Sequence, residues 1–471
     1  MDRKEVLVSG ADIARQREFT AKIKAMFQAR GAHPTACVDT FGCQQNVADG
    51  QRLMGMLEEM GFTLVSSPEE ADTAILNTCA VREHAEDRVF GNLGALSHAK
   101  RANPEMVIAL CGCMAQEPRV SARIKKSYPY VNLVFGPQAL WKLPELLWQV
   151  YESRRRVFSV EDEPGRLAEG LPVVRDDSVR AWVSVMYGCN NFCSYCIVPY
   201  VRGRERSRDA SCVVEEVRGL VASGCREITL LGQNVNSYGN DLQNGCDFSD
   251  LLEEIDRIPG DYWIRFMSSH PKDATPKLFS TMARCSHVAK QLHLPFQSGN
   301  DRVLAAMNRR YTRERYLELI RCARAAMPEL VLTSDVIIGF PGETEAEAMD
   351  TVSLVREVGF DALFTFLYSP RPGTRAAELP DPASREDKQR WFDTLLAVQN
   401  EFSARKHAAY VGSTVRVLVD GKSDDPDYPL SARTEGNRLV RLRGGEKLIG
   451  SFASARISGS NTWALYGETE E

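Results

Sequence analysis

Strand-like and helix-like patterns of apolar and polar residues alternate along the first third of the chain. Short apolar runs typical of buried strands lie at 35–39, 73–77 and 106–110. Segments with helical periodicity follow them near 46–60, 81–101 and 114–125. Strands that alternate with helices indicate a parallel sheet flanked by helices. We therefore predict a parallel α/β domain over residues 33–152, preceded by an N-terminal extension over residues 1–32 with one helix near 11–30.

The same alternation resumes after a polar linker that we assign to residues 153–178. Six apolar runs, separated by helical patterns, lie at 182–187, 227–231, 263–267, 291–294, 331–338 and 363–367. Six consecutive βα units predict a partial (β/α)6 barrel over residues 179–407. Residues 408–471 show short two-residue alternation with Gly-rich turns, which predicts a small antiparallel β-barrel. The predicted fold class is therefore α/β, with a small β-barrel at the C-terminus.

The composition of the chain serves mainly to exclude classes of protein. Of the 471 residues, 44% are hydrophobic and 26% are charged, which is typical of globular proteins. The net charge of −5 provides no general attraction to nucleic acid, so an RNA site would need local basic patches. No apolar run approaches the ~20 residues of a membrane helix, and the first residues hold no signal-peptide core. We expect a cytoplasmic protein without a membrane partner, in which clustered members of the 13 cysteines bind metal or act in catalysis.

Three cysteines are closely spaced at the start of the central domain. Cys189, Cys193 and Cys196 follow the first predicted strand with the spacing C-x3-C-x2-C. Three thiolates in one loop can bind three irons of a [4Fe–4S] cluster and leave the fourth iron open to a substrate or cofactor. A zinc site would need a fourth ligand close by, and the local sequence offers none. The spacing therefore predicts an iron–sulfur site.

The segment 188–196 resembles the cluster-binding loop of the radical S-adenosylmethionine (SAM) superfamily. The resemblance implies that the open iron binds the amino and carboxyl groups of SAM, and that one electron cleaves SAM to a 5′-deoxyadenosyl radical. The Gly-Gly-Glu that usually follows the second strand is absent, and Leu-Gly-Gln-Asn stands at 231–234 instead. From the resemblance and from positions at strand ends, the expected SAM contacts are Tyr195, Gln233, Asn234 and Ser298.

A second set of cysteines is dispersed through the first domain. Cys43, Cys79 and Cys113 each come just after a predicted strand. Because the carboxyl ends of parallel strands share one edge of a sheet, the three thiols can converge there. Three ordinary buried cysteines are the alternative interpretation. Cys111 competes with Cys113 for the third position, but its place inside the strand end favours Cys113.

Two cysteine triplets followed by a small β-domain resemble the methylthiotransferase family over about residues 33–471. Further similar segments lie at 231–239, 294–299, 307–313 and 335–344. The stretch Gln-Asn-Val-Asn-Ser-Tyr-Gly at 233–239 is most similar to the subgroup that acts on isopentenyladenosine in tRNA. The resemblance implies an enzyme that adds a methylthio group to carbon-2 of isopentenyladenosine beside the anticodon. Its partner would be the tRNA anticodon stem-loop.

The resemblance also assigns two [4Fe–4S] clusters and SAM as cofactors. One SAM would methylate a sulfide at an auxiliary cluster, and a second would supply the radical. The ligands implied are Cys43, Cys79 and Cys113 for the auxiliary cluster, and Cys189, Cys193 and Cys196 for the cluster that cleaves SAM. Beyond these ligands no side chain stands out as catalytic. A flavodoxin- or ferredoxin-like electron donor and a sulfur or iron–sulfur carrier are further expected partners.

Basic residues cluster in the last domain although the whole chain is acidic. Phosphate contacts supply most of the non-specific affinity for nucleic acid. This domain resembles the TRAM RNA-binding domain, and the expected RNA contacts are Arg433, Arg438, Arg441, Arg443 and Lys447. A second arginine group at 202–208 is also a candidate for phosphate contact.

Other functions stay open at this point. Relatives in the same family act on threonylcarbamoyladenosine in tRNA or on an aspartate of a ribosomal protein. The basic C-terminal domain favours RNA, and the 233–239 stretch favours isopentenyladenosine. A non-catalytic iron–sulfur RNA-binding protein would not need complete cysteine triplets in both domains.

Overall fold

The computed structural model describes residues 6–80, 85–160, 165–175 and 177–470. These residues form two compact units. The first comprises the described part of Met1–Asp176 with the short segments Met186–Asn190 and Cys196–Arg208. The second comprises Asp177–Val185, Asn191–Tyr195 and the described part of Asp209–Glu471. Parts of four predicted segments lie outside the described residues: the start of the extension, the first residues of the helix near 81–101, part of the linker, and the last residue of the C-terminal domain.

A parallel sheet forms the centre of the first unit. Its strands are β1 (Thr35–Thr40), β2 (Thr63–Leu64), β3 (Thr73–Thr78), β4 (Val107–Gly112), β5 (Leu133–Phe135) and β6 (Val157–Ser159). The strand order is β2-β1-β3-β4-β5-β6, and every neighbouring pair is parallel. All residues of β3 and β4 are buried, as expected for central strands with both faces covered. The predicted parallel α/β domain is confirmed.

Helices cover both faces of this sheet. They are α1 (Gly10–Ala29), α2 (Gln44–Glu59), α3 (Ala85–Ala102), α4 (Pro118–Ser127) and α5 (Leu143–Ser153), and the short α6 (Val198–Arg202) also belongs to this unit. The Ser9 side chain caps α1 by accepting the Asp12 N–H. Ile23 of α1 is fully buried in the same apolar cluster as Leu147 of α5. The predicted extension is therefore part of the core of this unit, because α1 supplies apolar surface to it.

Two three-stranded parallel sheets form the centre of the second unit. Their strands are β7 (Arg180–Ser184), β10 (Glu227–Leu231), β11 (Trp263–Phe266), β12 (Gln291–His293), β13 (Val331–Ile338) and β14 (Ala362–Leu367). The orders are β11-β10-β7 and β12-β13-β14, and Ile264 of β11 forms a parallel bridge with Val288, which precedes β12. All six strands coincide with predicted strands. The predicted partial (β/α)6 barrel is thereby confirmed.

The helices of this unit follow its strands along the chain. They are α7 (Ala210–Ala222), α8 (Phe248–Asp256), α9 (Pro276–Arg284), α10 (Asp301–Ala306), α11 (Arg313–Ala326), α12 (Glu345–Val358) and α13 (Arg385–Ala408). Two short strands of the first unit, β8 (Met186–Tyr187) and β9 (Arg206–Ser207), pair antiparallel. Within the described ranges, none of the helices combines the length and apolar character needed to cross a membrane.

A closed five-stranded barrel completes the second unit. Its strands are β15 (Thr414–Asp425), β16 (Tyr428–Thr434), β17 (Leu439–Arg443), β18 (Phe452–Ser460) and β19 (Leu465–Thr469), in the order β15-β16-β17-β19-β18. Fully buried Val417, Leu430 and Leu442 belong to its core. The guanidinium of Arg265 on β11 donates to the Thr434 carbonyl oxygen at 3.0 Å and so links the two parts of the unit. The predicted C-terminal β-barrel is confirmed.

Candidate iron–sulfur site

Three cysteine thiols of the first unit converge beyond the carboxyl ends of neighbouring strands. Cys43, Cys79 and Cys113 follow β1, β3 and β4, which are adjacent in the sheet. The Asn46 side-chain oxygen lies 3.8 Å from the Cys43 sulfur and 3.9 Å from the Cys113 sulfur. The Cys79 thiol hydrogen-bonds to Cys43. The fold therefore brings together the three cysteines that the sequence separates by more than thirty residues each.

A glycine makes this convergence sterically feasible. Gly42 has a φ of +124°, a backbone conformation that residues with a side chain rarely adopt. A β-carbon added there would lie 2.4 Å from the Cys79 β-carbon and 2.9 Å from its sulfur. The turn after β1 can therefore approach Cys79 only because residue 42 has no side chain.

A buried arginine lies among these thiols. The Arg202 Nε donates to the Cys113 sulfur at 3.0 Å, and its Nη2 donates to Asn46 and Asp49, each at 2.8 Å. The Arg202 and Asp49 side chains are only 5% and 6% exposed, so their ion pair is almost fully shielded from water. Arg202 therefore places a fixed positive charge beside the thiol cluster.

Hydrogen bonding, burial and this charge set the protonation of the thiols. The hydrogen bond from Cys79 and the Arg202 charge together lower the pKa of Cys43 to about 5, against the effect of burial. Burial raises the pKa of Cys113 to about 11, although the Arg202 charge opposes the rise. Thiolates are the ligands of iron–sulfur clusters, and a nearby guanidinium favours the thiolate form.

Cys111 has different surroundings from Cys113. Its sulfur lies 3.8 Å from the Asn77 side-chain oxygen, and burial raises its pKa well above the ordinary value. Of the two cysteines, only Cys113 is placed at Asn46 and Arg202. The geometry thus favours Cys113 as the third member of the set.

The chemistry of the donor set suits an iron–sulfur cluster. In the described part of the chain, no three Cys, His, Asp or Glu side chains surround one position suited to a single metal ion. The thiolates of a [4Fe–4S] cluster bind separate irons and need not meet at one point. Cys43, Cys79 and Cys113 fit such a cluster, with Arg202 and Asn46 beside them.

The loop that carries the other triplet is held by hydrogen bonds within each unit. In the first unit the Cys189 N–H donates to the Gly203 carbonyl at 3.1 Å, and the Asn190 N–H donates to Glu205 at 3.1 Å. Gly188 has a φ of +78°, and a β-carbon there would lie 2.0 Å from the Arg204 carbonyl oxygen. A glycine is therefore required immediately before Cys189.

In the second unit, the turn after α10 secures the Cys193 part of the loop. The Ser194 N–H donates to the Met307 carbonyl at 3.0 Å, and the Asn308 amide donates to the Phe192 carbonyl at 2.9 Å. Phe192 itself has a φ of +49°, which is unusual for a residue with a side chain. These bonds stabilise a strained loop conformation next to Cys193.

A second buried arginine lies at this loop. The Arg309 Nη1 is 3.5 Å from the Cys193 sulfur, and its Nη2 donates to the Pro295 carbonyl at 2.6 Å. Its Nε donates to the Tyr311 hydroxyl at 3.1 Å. Arg309 is 7% exposed, and none of the described carboxylates forms an ion pair with it. It is therefore a buried cation whose bonds go to neutral oxygens and to sulfur.

The residues expected to contact SAM have varied surroundings. The Asn234 side-chain amide follows β10 and donates to Asp273 at 2.8 Å, and Gln233 precedes it. The Ser298 hydroxyl accepts the Asn300 N–H at 3.3 Å and lies 3.4 Å from the Thr351 hydroxyl. Tyr195 packs against the apolar cluster that includes Met307 and Phe340. Ser298 thus stabilises the turn after β12 by hydrogen bonding. The residue before it has a more unusual conformation and burial.

That neighbour, Gln297, is one residue that sequence reasoning missed. It is 7% exposed, has a φ of +66°, and its side-chain oxygen has no hydrogen-bond partner among the described residues. Strained, buried polar residues are typical of functional sites. Arg202 is not among the predicted cluster residues either, although it follows Cys196 closely in sequence, because it was grouped with the candidate phosphate contacts. Arg309 lies 113 residues beyond Cys196, so no local spacing connects it with the triplet.

The basic residues expected to contact RNA divide into two classes. Arg438 is 7% exposed and forms an ion pair with Asp361, so it links the small barrel to the central domain. Arg443 and Lys447 are exposed, and Arg433 and Arg441 are partly so. The candidate group at 202–208 is corrected, because Arg202, Arg206 and Arg208 are all buried. Arg208 forms an ion pair with Glu169.

Comparisons with known proteins cover almost the whole chain. The models that match are those of Uncharacterized protein family UPF0004 at residues 35–136, the Radical SAM superfamily at 183–355 and the TRAM domain at 408–469. A curated protein of Acetivibrio thermocellus named tRNA-2-methylthio-N(6)-dimethylallyladenosine synthase is 47% identical over 470 residues, which cover 99% of this chain and 98% of that protein. A protein of the same name from Alkaliphilus oremlandii is 45% identical over 466 residues, again 99% and 98% of the two chains.

A solved structure resembles the fold at low sequence identity. The radical SAM methyltransferase TsrM from Kitasatospora setae, with tryptophan and a SAM analogue bound, matches with a TM-score of 0.55 and 16% identity. The match covers 73% of this chain and 75% of that one. At this identity the likeness concerns the fold alone.

Proposed function

Because the chain belongs to the family of radical SAM tRNA methylthiotransferases, we propose that it adds a methylthio group to carbon-2 of N6-dimethylallyladenosine, also called isopentenyladenosine, in tRNA. The observation that carries the proposal is the convergence of Cys43, Cys79 and Cys113 beside Arg202, in a chain that also holds the 189–196 triplet. Two relatives named for this activity match over almost the whole length of both chains. Their names favour dimethylallyladenosine over threonylcarbamoyladenosine or a ribosomal protein.

Enzymes of this family use SAM and [4Fe–4S] clusters. We assign an auxiliary cluster to Cys43, Cys79 and Cys113, and the SAM-cleaving cluster to Cys189, Cys193 and Cys196. When bound, these groups supply the electron that cleaves SAM and an iron at which sulfur can be methylated. The carbon-2 hydrogen of adenine is not acidic and the carbon is a poor electrophile, so acid–base catalysis by side chains has no easy route there.

The side chains of this chain hold the reactants and exclude water. Arg202 stabilises the Cys113 thiolate by hydrogen bonding and charge, and the Asn46 backbone N–H favours the thiolate of Cys43. Arg309 does the same at Cys193. Both arginines are buried, so their charges act in a medium of low dielectric constant and have a larger effect than in water. Tyr195, Gln233 and Asn234 remain the proposed SAM contacts, with Ser298 supporting the turn beside them.

The tRNA anticodon stem-loop is the proposed binding partner of the small barrel. We assign phosphate contacts to Arg433, Arg441, Arg443 and Lys447, and a structural role to Arg438. The anticodon loop is single-stranded, so a base can leave its stack at little cost. Reductive SAM cleavage and sulfur insertion also call for a flavodoxin- or ferredoxin-like electron donor and a sulfur or iron–sulfur carrier. We place the reaction in the cytoplasm, where tRNA occurs and thiols stay reduced.

Nucleoside analysis after a defined reaction tests this proposal. The protein is reconstituted anaerobically with iron and sulfide, then incubated with SAM, a reductant and an anticodon stem-loop with or without the dimethylallyl group. We expect a methylthio group only on the dimethylallylated RNA. Formation of 5′-deoxyadenosine without an RNA product would move the substrate to another molecule. Absence of SAM cleavage with both clusters loaded would refute the enzyme assignment.

A further inference from the structure

A buried turn follows β11 at the carboxyl edge of the central strands. Ser268 has a φ of +65°, which is unusual for a residue with a side chain. Ser269 and His270 are each 4% exposed, and the Ser269 hydroxyl and the His270 Nε2 have no hydrogen-bond partner among the described residues. A buried polar group without a partner costs free energy, and strained backbone is typical of active sites and ligand clamps. The turn over residues 268–270 therefore has the features of a ligand contact.

The loop after β10 holds this turn in place. The Asn236 amide nitrogen donates to the His270 carbonyl at 3.0 Å, and the Asn236 amide oxygen accepts the His270 N–H at 2.8 Å. The Val235 N–H donates to the Ser268 carbonyl at 3.2 Å. Val235 and Asn236 belong to the stretch 233–239, so this stretch fixes the backbone on both sides of Ser269.

Hydrogen bonding determines which nitrogen of the His270 ring carries the proton. Its Nδ1 accepts the Lys272 N–H at 3.1 Å, so this nitrogen is unprotonated. Burial and the nearby charge of Arg309 hold the pKa of His270 well below its usual range, so the ring is neutral. A neutral imidazole with an unprotonated Nδ1 carries its proton on Nε2. His270 therefore presents one uncharged N–H donor.

This donor lies beside the groups that surround Cys193. The His270 ring meets the Tyr311 ring edge-on at a centroid distance of 5.7 Å. The Tyr311 hydroxyl accepts from Arg309, and the Arg309 Nη1 is 3.5 Å from the Cys193 sulfur. A molecule bound at His270 would therefore lie near the loop of the cluster that we assign to SAM cleavage.

We propose that the His270 Nε2–H donates a hydrogen bond to the adenine ring of the RNA substrate, at one of the two nitrogens that flank carbon-2. The inference rests on the function proposed above and identifies a residue that orients its substrate. N1 and N3 of dimethylallyladenine each carry a lone pair and suit a neutral donor. The carboxylate of SAM suits the charged Arg309 instead, because hydrogen bonds between ionised groups are the stronger ones. A bond to a nitrogen next to carbon-2 holds that carbon toward the reacting groups.

Two substitutions of His270 separate its donor from its role in the turn. His270→Asn keeps an acceptor for the Lys272 N–H but has no donor at the Nε2 position. His270→Gln places an amide N–H near the Nε2 position and loses the acceptor close to the backbone. His270→Asn should weaken binding of a dimethylallylated anticodon stem-loop roughly tenfold, and His270→Gln should weaken it less. A purely structural role predicts the reverse order.

Analogues of the base identify the nitrogen that accepts the bond. The dimethylallylated stem-loop is synthesised with 1-deazaadenine or 3-deazaadenine at the modified position, and its binding to reconstituted enzyme is measured by fluorescence anisotropy. His270→Asn should show no loss with the analogue that lacks the acceptor and its full loss with the other. Equal losses with both analogues would overturn the inference. His287→Asn is the matched control and should leave all binding unchanged, because the His287 ring nitrogens contact Asp256 and the Gly260 carbonyl.

Measurements with SAM and with wild-type enzyme separate failure of this inference from failure of the proposed function. Weaker SAM binding by His270→Asn in equilibrium dialysis would assign the donor to SAM and overturn the inference. Wild-type affinity of both His270 variants for the dimethylallylated RNA, with methylthio product formed by wild-type enzyme, would also overturn it. If wild-type enzyme makes no methylthio product, the proposed function itself fails. Circular dichroism and iron analysis of each variant check that the fold and the clusters are retained.

Discussion

The two cysteine triplets are assembled in different ways. The triplet at 189–196 is local, and its spacing alone makes it recognisable. Cys43, Cys79 and Cys113 are far apart in sequence and meet only because β1, β3 and β4 are neighbours in a parallel sheet. The difference teaches that a local site is specified by its loop, whereas a dispersed site depends on the order of the strands.

The two triplets also differ in how a buried arginine is balanced. Arg202 contacts Cys113 and forms an ion pair with Asp49, so its charge is neutralised within the protein. Arg309 contacts Cys193, but its other bonds go to neutral oxygens. A buried cation without a carboxylate partner is costly unless anionic charge offsets it. We therefore expect the thiolate cluster and the carboxylate group of SAM to contribute that negative charge at Arg309.

The largest expected effect comes from removing one cysteine ligand of the auxiliary cluster, which should distinguish the roles of the two triplets. Cys113→Ser should abolish methylthio transfer and lower the iron content from about eight to about four atoms per chain. SAM cleavage should persist, because the other triplet is intact. Iron analysis and 5′-deoxyadenosine assays measure both results. Cys111→Ser is the matched control and should keep the full iron content; loss of iron in that variant instead would make Cys111 the ligand.

Substitution of Arg202, which is paired with Asp49, should affect the stability of the fold more than the reaction. Arg202→Met removes the shorter of the two ion pairs of buried Asp49 and leaves Arg52 at 3.5 Å, so the free energy of unfolding should fall by less than the roughly 3–5 kcal/mol of a fully broken buried pair. Denaturant unfolding of the protein would measure this loss. The double variant Arg202→Met with Asp49→Leu should regain part of the stability, because Arg52 then loses its ion pair with Asp49. It should still shift the reduction potential of the auxiliary cluster, and an unchanged potential would show that Arg202 is only structural.

At the triplet at 189–196, replacing the buried arginine with methionine should affect SAM cleavage more than folding. Arg309→Met removes the hydrogen bond to Cys193 and the unbalanced charge, so the rate of 5′-deoxyadenosine formation should fall roughly tenfold. Unfolding should change little, because no described carboxylate loses a partner. Arg309→Lys keeps the charge and should recover part of the rate. Equal effects of Arg309→Met and Arg202→Met on stability would contradict the contrast between the two arginines.

The smallest expected effect concerns RNA binding by the C-terminal barrel. Arg443→Ala and Lys447→Ala should each weaken tRNA binding severalfold and reduce its salt dependence by about one counterion. Arg438→Ala should instead lower stability, because its partner Asp361 is buried. Binding titrations at two salt concentrations distinguish these results. A change in salt dependence for Arg438→Ala alone would reverse the assignment of these residues.

Most of the fold was predictable from patterns along the chain. The six strands of the central domain and the closed barrel follow from hydrophobic periodicity and turn residues, which act over short distances. The integration of α1 into the core was not predictable. Its sequence is largely polar, and only Gln16 and Ile23 are buried along its length. Such packing depends on where a distant helix, α5, presents its apolar face.

The sequence by itself determined the groups available for chemistry. These are six thiols, placed by their spacing or at the ends of strands, in a defined order of domains. Tertiary structure decided which charges serve that chemistry. Arg202, Arg208 and Arg438 belong to sequence groups that look like RNA-binding patches, yet each is buried in an ion pair. The pattern of charges along the chain does not distinguish a buried arginine from an exposed one that binds RNA. The free-energy cost of burying a charge depends on its ion-pair partner, and only the tertiary fold brings that partner into contact.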